Sequence, residues 1–529
     1  MQVPEEDLEF YQLMSPTFAG KKFLMPAPKL NPLERRQRRM AFRNERHLYY
    51  RNCDLTGRRM LSTISEDKPY KVYYFKDWLS DAWDVMDYFL EPDFEKSFFS
   101  QFKELLQIVP MRSLNISDDM ENCDFCNYGG FSQHCYLSVA PFQSQNCLYS
   151  RVPYKCVYDV DGFANIECQY CYECIASENS YQCFFSQYVK NCSESAFLLD
   201  CVGCKNCFGC VGLKQQEYCF LNKKYSPEEY REKTSGILGN RDTLDQFAKF
   251  FHDYSLNFPR KFARNFKTEN CSGDLLRNSK NCHDCFDLMG QQDSRYCELG
   301  GALTHHAYDC TIAGFNVVNC YEQIDCVSCN QCAFGIYVNN NQNSYYVMNC
   351  ENCEDCFGCI GLRRKKHCIF NKQYTPEDYE KTVAKIIEKM IADGEWGEMF
   401  PIDISPFAYN ETLANDYFPL SESEAQAKGW GWREESPGPR DGGDLTKCSE
   451  TGKLFKIAQQ EREFLERFGI AMPNKSPEAR FQSRLRIMNP YQLWERTTSD
   501  GVNVLSPYAP DRPEQILSEE AYLAQQFLL

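Results

Sequence analysis

Two runs of four cysteines are the residues of this sequence most able to do chemistry. The thiols recur at every third residue in each run: Cys201, Cys204, Cys207 and Cys210, then Cys350, Cys353, Cys356 and Cys359. Cys-x2-Cys pairs suit tetrahedral zinc, and three thiols at this spacing resemble part of an iron–sulfur motif. The gap before the fourth cysteine is nevertheless too short for the bacterial ferredoxin pattern, and no proline follows it. Zinc or an iron–sulfur cluster is therefore the alternative to buried, reduced thiols; disulfides are a third.

Each run opens one copy of a duplicated unit. Cys201–Tyr230 aligns with Cys350–Tyr379 without a gap, at an offset of 149 residues. Both copies end in the same helix start, Ser226-Pro227 or Thr375-Pro376 followed by acidic residues. A hydroxyl at the N-cap, proline at N1 and acids in the first turn satisfy free N–H groups and the helix dipole. The sequence therefore predicts that each cysteine-rich stretch is capped by a helix.

The period of three extends beyond the two runs. From Cys123 to Cys219, every spacing between successive cysteines is a multiple of three, with Asn, Asp, Ser, Gly and Tyr between them. A long helix is disfavoured by these residue types, and a flat strand would need a period of two. We predict two β-solenoids whose inward positions are filled by cysteine acting as a small hydrophobe. Spacings of 11, 13 and 10 early in the second copy are interpreted as one-residue insertions at corners.

An arginine-dense run near the amino terminus is the second chemical candidate. It contains Arg35, Arg36, Arg38, Arg39, Arg43 and Arg46, with aromatic residues between the charges. Basic and stacking side chains together can hold RNA or single-stranded DNA. The other interpretations are a solvated helix face, or a docking surface for the acidic remainder of the same chain.

Other catalytic signals are weak. Among the seven histidines only His283, beside Cys282 and Cys285, is a plausible ligand, and a loop histidine is the simpler interpretation. Neither a Walker loop, a dinucleotide-binding glycine motif, His-Glu-x-x-His nor a nucleophile elbow is present. We therefore expect no enzymatic activity.

Composition limits the class of protein. The chain has 529 residues, a formal charge of −16 and 31 cysteines, an odd number. The acidic balance argues against broad coating of nucleic acid or of an anionic membrane. No apolar run is long enough for a transmembrane helix, and no secretory signal is visible, so we expect a cytoplasmic protein with reduced thiols.

The chain divides into four predicted domains. Residues 1–118 form a degenerate zinc-ribbon-like module plus a helix, 119–266 and 267–433 are the two solenoids with helical caps, and 445–529 form a second such module. Ser436–Gly443, rich in proline and glycine, is predicted to be a linker. The predicted fold class is thus mostly β with capping helices, flanked by two small α+β modules.

The two ends of the chain repeat each other. Asn31–Arg51 aligns with Ser476–Arg496, including Arg35 with Arg480 and Arg39 with Arg484. Together with Asn-Cys-Phe-Gly-Cys and Ser-Pro-Phe-x-Tyr-Asn in the middle of the chain, these ends resemble uncharacterised cysteine-rich proteins of ultrasmall candidate-phyla bacteria. That resemblance implies treble-clef zinc ribbons at the termini and no assigned activity.

The terminal modules depart from the ribbon pattern. Where that pattern has Cys-Pro-x-Cys, this chain has Asn-Pro-Leu-Glu from Asn31 and Ser-Pro-Glu-Ala from Ser476. Cys53 and Cys448 are the single thiols left in the two modules, and structural zinc needs four ligands. We expect zinc-free modules held by packing. The sequence as a whole favours a non-enzymatic scaffold with a protein partner or self-association; metal binding by the cysteine runs and nucleic-acid binding by the arginine run are the alternatives.

Overall fold

The structure is a computed structural model that describes residues 4–117, 119–434 and 445–526, so the predicted linker Ser436–Gly443 lies outside the described residues. Helices make up 24% of it and strands 29%, so the fold class is mixed α/β rather than mostly β. The difference arises because most helices lie outside the cysteine-rich stretches. None of the helices in the described residues is long and apolar enough to cross a membrane.

The helices are α1 (Glu5–Leu13), α2 (Pro32–Met40), α3 (Phe75–Leu79), α4 (Phe98–Ile108), α5 (Pro227–Thr234), α6 (Arg241–Ser255), α7 (Pro376–Asp393), α8 (Leu413–Tyr417), α9 (Glu422–Ala427), α10 (Gln459–Phe468), α11 (Pro477–Ile487) and α12 (Glu519–Gln526). Short 3₁₀ helices span Val85–Asp87, Ile402–Ile404 and Tyr409–Glu411. Helices α5 and α7 start as predicted, since the hydroxyls of Ser226 and Thr375 accept backbone N–H groups at 3.3 and 3.2 Å.

The amino-terminal region contains short paired strands, β1 (Thr17–Phe18), β2 (Lys21–Lys22), β3 (Tyr49–Asn52), β4 (Arg59–Ser62), β5 (Val72–Tyr73) and β6 (Met111–Arg112). β1 with β2 and β3 with β4 form antiparallel hairpins, whereas β5 and β6 pair in parallel.

The first ladder (residues 121–224) is a parallel sheet built by repeated pairing at one offset. Residues twelve apart face each other, from the bridge Glu121↔Gln133 to Lys205↔Glu217. Its strands are β7 (Val157–Val160), β8 (Gln169–Tyr172), β9 (Tyr181–Phe184), β10 (Ser193–Leu199), β11 (Phe208–Val211), β12 (Cys219–Phe220) and β13 (Lys223–Lys224). The last pair is antiparallel and leads directly into α5.

The second ladder (residues 266–373) uses the same offset with three exceptions. Its strands are β15 (Gly273–Asp274), β16 (Cys285–Leu288), β17 (Gln291–Gln292), β18 (Glu298–Gly300), β19 (Thr304–Ala313), β20 (Val318–Val327), β21 (Asn330–Asn339), β22 (Glu354–Phe357), β23 (Lys366–Ile369) and β24 (Lys372–Gln373), while β14 (Arg260–Lys261) precedes it and pairs with a carboxy-terminal strand. Two successive offsets are thirteen residues, as Gln291↔Thr304 and His305↔Val318 show.

The irregular cysteine spacings of the second copy therefore have two causes. The thirteen-residue offsets are one-residue insertions, as predicted, beside Gly301 and Gly314. The spacing of 11 is instead a shortening, because Phe266 pairs with Arg277 eleven residues on. The chain compensates at Gly273, whose φ is +143° and where a Cβ would lie 1.8 Å from the carbonyl oxygen of Cys285. Only glycine fits there.

A three-residue backbone repeat underlies both ladders. Every third residue has φ near +50°, for example Phe125, Tyr128, Phe131 and His134. This left-handed conformation costs a non-glycine residue roughly 1–2 kcal/mol. We call each segment of about twelve residues that pairs with the next a rung. The hydrogen bonds between successive rungs must outweigh many such costs. Each triplet thus consists of an inward residue, a bridging residue and a left-handed residue.

In each triplet, two of the three N–H groups donate hydrogen bonds to backbone carbonyls. The bridging Tyr136 N–H donates to the Cys147 carbonyl at 2.9 Å, and the left-handed Leu137 N–H donates to the Asp124 carbonyl at 3.0 Å. The inward N–H finds its acceptor in a side chain: Cys156 N–H donates to Ser144 Oγ at 3.1 Å. Because a buried N–H without an acceptor is costly, an inward Ser, Asn or Cys supplies an acceptor that inward apolar residues such as Val189 and Leu198 do not.

The carboxy-terminal region repeats the pattern of small hairpins. Its strands are β25 (Leu445–Lys447), β26 (Leu454–Lys456), β27 (Trp494–Thr497), β28 (Asn503–Ser506) and β29 (Ile516–Leu517). β27 and β28 form an antiparallel hairpin after α11, just as β3 and β4 follow α2. The local structure therefore agrees with the sequence alignment of the two ends.

Candidate functional site

The eight cysteines predicted as metal candidates all occupy inward positions of the ladders. All 31 cysteines of the chain are unpaired, and the eight in the two runs are buried. Each of the eight thiols donates to the carbonyl oxygen nine residues on, at 3.3–3.9 Å. In Cys201, Cys204, Cys207, Cys210, Cys350 and Cys353, the sulfur also accepts the N–H twelve residues on.

Serine and asparagine make the same two contacts at other inward positions. Ser144 Oγ donates to the Pro153 carbonyl at 3.0 Å while accepting the Cys156 N–H. Asn165 Oδ1 accepts the Ser177 N–H at 2.9 Å, and its Nδ2 donates to the Cys174 carbonyl at 3.3 Å. Sequence reasoning treated the thiol as apolar filler and missed this bonding role. The signal was present, since serine and asparagine share the period-three positions with cysteine.

The thiols of one run also contact one another. Cys356 is hydrogen-bonded to the thiols of Cys353, Cys359 and Cys368, and these contacts together with burial hold its pKa well above the usual value. The neighbouring Cys353 shifts in the opposite direction, since the contact with Cys356 lowers its pKa. Among the described residues, no group of three or more His, Cys, Asp or Glu side chains is placed to hold a metal ion. A zinc or iron–sulfur site in these runs remains a prediction.

The first thiol of each ladder differs from the rest. Cys123 and Cys271 are partly exposed, and each accepts a backbone N–H from the next rung at 3.4 Å. The thiol and the N–H of Cys282 lower the pKa of Cys271 to about 7. These two residues are therefore the most reactive thiols that the ladders present to solvent.

Helix α2 places the predicted arginine run inside the molecule, against the second ladder. Arg35 and Arg39 contact Asp309 at 2.9 and 3.0 Å. The neighbouring pairs are Arg36 with Glu298 at 2.8 Å and Arg38 with Glu322 at 2.8 Å. We call Arg35, Arg36, Arg38 and Arg39 the amino-terminal arginine cluster; all four are buried.

The remaining two arginines of the run are also paired. Arg43 contacts Asp325 and, at 2.8 Å, Glu45. Arg46 contacts Asp416 at 3.0 Å and Glu478 at 3.3 Å. The six guanidinium groups are thus engaged with carboxylates of the same chain, as in the docking alternative, and do not form a basic outer surface. The nucleic-acid alternative stays a prediction without a geometric basis here.

Helix α11 repeats this arrangement on the first ladder. Arg480 and Arg484, the carboxy-terminal arginine pair, contact Asp161 at 2.6 and 2.8 Å. They align in sequence with Arg35 and Arg39, which share Asp309 in the same way. All of these side chains are buried. A charge buried in this way is strongly destabilising if its partner is removed, so each terminal region is firmly attached to a ladder.

The carboxylates that form ion pairs with these arginines also occupy corresponding positions in the two ladders. Glu173 and Glu322 correspond at the offset of 149, and Asp161 and Asp309 lie one rung before them. Arg39 reaches Glu322 at 3.6 Å, and Arg484 reaches Glu173 at 3.9 Å. The amino-terminal region therefore docks on the second ladder and the carboxy-terminal region on the first, through matching ion pairs.

The amino-terminal region also reaches the first ladder. Arg151 contacts Glu45 at 2.6 Å. Burial would raise the pKa of Glu45, but the charges of Arg151 and Arg43 outweigh it and lower that pKa to about 2. Glu45 thus joins the segment after α2 to the first ladder. Arg43, which also contacts Glu45, joins the same segment to the second ladder through Asp325.

The single thiols of the terminal modules lie in different environments. Cys448 accepts the Ser476 N–H at 3.3 Å and packs in one cluster with Ala479, the two positions where the ribbon pattern has cysteine. Burial opposes ionisation of Cys448, but hydrogen bonds from Thr451 and Ser476 lower its pKa to about 6. Cys53 instead accepts the Tyr74 N–H at 3.2 Å.

Comparison with known proteins adds no assignment: the chain matches no protein-family model and is not significantly similar to any curated protein.

Proposed function

We propose that the chain is a non-enzymatic structural or protein-interaction scaffold. In this proposal the two ladders are four-sided β-solenoids of twelve residues per turn, and the terminal regions are zinc-free, ribbon-like modules that hold them. The twelve-residue register, which has three exceptions in the second ladder, and the left-handed residue of the triplets support the solenoid, because four triplets then complete one turn. The family resemblance of the sequence is part of the same proposal.

One observation carries the proposal: both sets of residues capable of chemistry are occupied by bonds that hold the fold. The thiols accept inward N–H groups and donate to carbonyls, as Cys353 does towards Leu362 at 3.4 Å. The arginines neutralise buried carboxylates of the ladders, such as Asp309 and Asp161. A protein built in this way presents shape and surface rather than a reactive centre. Free thiols in such number fit a reducing compartment, and we place the protein in the cytoplasm.

Replacing a whole cysteine run by serine tests the proposal. The variant Cys350→Ser, Cys353→Ser, Cys356→Ser and Cys359→Ser keeps an acceptor and a donor at every position. We expect it to fold, with unchanged metal content and circular dichroism. Its matched control carries the same four changes in the first run, from Cys201 to Cys210, and should behave alike.

The metal alternative predicts the opposite result. Near-stoichiometric zinc or iron in the purified wild-type protein, lost in either serine variant together with the fold, would overturn the scaffold proposal in favour of a metal protein. Nucleic-acid binding is tested separately by titrating labelled RNA at two salt concentrations. Partner binding or self-association is tested by sedimentation over a range of concentrations.

A further inference from the structure

A cleft of about 350 Å³ lies where the amino-terminal segment crosses the second ladder. One wall is Ser15–Phe18, a second is the start of α7 with Tyr379 and Glu380, and the floor is formed by Tyr345, Asp355 and His367 of the ladder. Neither the cysteine runs nor the arginine clusters take part in it. The cleft is therefore separate from the features that hold the fold.

The floor of the cleft is a column of polar residues on successive rungs. Asn343, Asp355 and His367 are twelve residues apart and share the left-handed position of their triplets. His367 Nδ1 lies 3.5 Å from the Asp355 carboxylate and has no hydrogen-bond partner within the described residues. The spacing fixes a carboxylate beside an imidazole at the base of an open cleft.

Asp355 differs from Asp309 and Asp161 in lacking an arginine. Asp309 and Asp161 are each neutralised by two guanidinium groups. No lysine or arginine within the described residues forms an ion pair with Asp355, and burial raises its pKa. Among the described residues, the second carboxylate of the cleft, Glu380, accepts only the Ala19 N–H, at 3.1 Å. Within the described residues, the cationic groups that act on Asp355 are therefore only His367 and, further off, Lys366, and no ion pair reaches Glu380.

An unused hydroxyl and several aromatic rings complete the lining. Tyr379 is 2% exposed, and its hydroxyl has no hydrogen-bond partner in the part of the chain that the structure describes, although a buried hydroxyl normally finds one. Its ring lies 6.0 Å from that of Phe18 and 5.7 Å from that of His367, and Phe18 is 6.3 Å from Tyr345. Carboxylates beside aromatic rings favour a cation, because both the charge and the ring quadrupoles attract it.

The duplication supplies an internal comparison. At the offset of 149, Asp355 corresponds to Asn206 and Glu380 to Arg231, whereas Tyr379 corresponds to Tyr230. The first copy thus keeps the tyrosine that packs the helix but has neither carboxylate. The helix cap itself does not require the two negative charges, and the only structural contact of either carboxylate with the amino-terminal segment is that of Glu380 with the Ala19 N–H among the described residues.

We propose that this cleft is a binding site for a small organic ammonium ion. The ammonium group donates hydrogen bonds to Asp355 and to the Tyr379 oxygen, Glu380 adds a second negative charge, and the rings of Phe18 and Tyr345 contact the alkyl portion. An anion is repelled by the two carboxylates, and a neutral molecule of the same shape gains only the weaker hydrogen bonds.

The test compares three probes of similar length on the full chain. Isothermal titration calorimetry is carried out with 1,4-diaminobutane, with 1,4-butanediol as the neutral isostere and with succinate as the anion. We expect saturable binding of the diamine, at least about tenfold weaker binding of the diol and none of succinate. Equal affinity for diamine and diol, or no heat with the diamine, overturns the proposal.

Variants copied from the first ladder locate the site. Asp355→Asn installs the residue that the first copy carries and should weaken diamine binding by about tenfold or more. Glu380→Gln, which can still accept the Ala19 N–H, should weaken it less. Asn206→Asp is the matched control in the other ladder and should leave the diamine affinity unchanged. Undiminished binding by a natively folded Asp355→Asn variant refutes the assignment. If that variant does not fold, chemical shifts in the wild-type protein decide: the His367 ring signals must move on adding the diamine, and unmoved signals refute the site.

Discussion

Substitution of Cys332 distinguishes a bonding role of the thiols from simple filling. Cys332 lies on β21, is fully buried, donates to the Asn341 carbonyl at 3.4 Å and accepts the Ser344 N–H. In Cys332→Ala the Ser344 N–H loses its acceptor, which costs about 1–3 kcal/mol, and the space left by the sulfur adds about 1 kcal/mol. We expect a total loss of about 2–4 kcal/mol. Cys332→Ser keeps both bonds and should lose about 1 kcal/mol or less.

Cys332→Val is the decisive variant. It restores the volume but cannot accept the N–H, so we expect it to resemble alanine rather than serine. The measurement is urea unfolding under reducing conditions, combined with hydrogen exchange of peptides that contain Ser344, because a chain of this size need not unfold in one step. The Ser344 amide should exchange faster in the alanine and valine variants only. If valine is as stable as the wild type and serine is the least stable, the thiols are apolar filler and our reasoning is wrong.

Three further predictions follow from the buried charges and the exposed thiols. Burial, and then the charge of Cys168, raises the pKa of Asp159 to about 7. The contribution of this carboxyl to stability therefore favours the fold below about pH 4 and is lost as the pH rises through 7. Asp159→Asn should remove this decline, which unfolding curves at pH 5 and pH 8 can measure, and an unchanged difference in stability between the two pH values would contradict it. Arg480→Met should cost about 3–5 kcal/mol and speed proteolytic release of the carboxy-terminal region, because it strips buried Glu461 of its partner and leaves Asp161 with Arg484 alone. Arg486→Met is the control: its pair is exposed, so a loss of more than about 1 kcal/mol there would weaken the argument. Brief alkylation of the native, reduced protein should label Cys123 and Cys271 first, and mass spectrometry that finds the buried thiols labelled equally fast would refute the assigned burial.

Local features of the fold were predictable because they depend on near neighbours in sequence. The helix starts at Ser226 and Thr375 agree with the structure, since capping needs only a hydroxyl, proline and acids in order. The inward burial of the cysteine runs also followed from their period. The helical share was underestimated, because the terminal regions contain helices whose patterns were weak. The shortening before Gly273 was taken for an insertion, because a cysteine spacing alone does not reveal which residues pair.

The candidate sites were less predictable, because they join residues far apart in the chain. A run of arginines has the same composition whether it meets phosphates or carboxylates, and only the docking of α2 on the second ladder shows that Arg35 and Arg39 share Asp309. Likewise, Asp355 and Tyr379 are unremarkable in the sequence. They line one cleft only because the amino-terminal segment crosses the ladder there.

The sequence by itself determined the repeat, the identity of the inward positions and the similarity of the two ends of the chain. These properties follow from the spacing of residues along the chain and from the offset between its repeats, and neither depends on tertiary contacts. Tertiary structure alone decided which terminal region docks on which ladder, and that the thiols complete the hydrogen bonding of inward N–H groups. Pairing at an offset of twelve residues leaves the inward N–H without a backbone acceptor, and a side-chain acceptor such as a thiol becomes useful only once the strands are stacked.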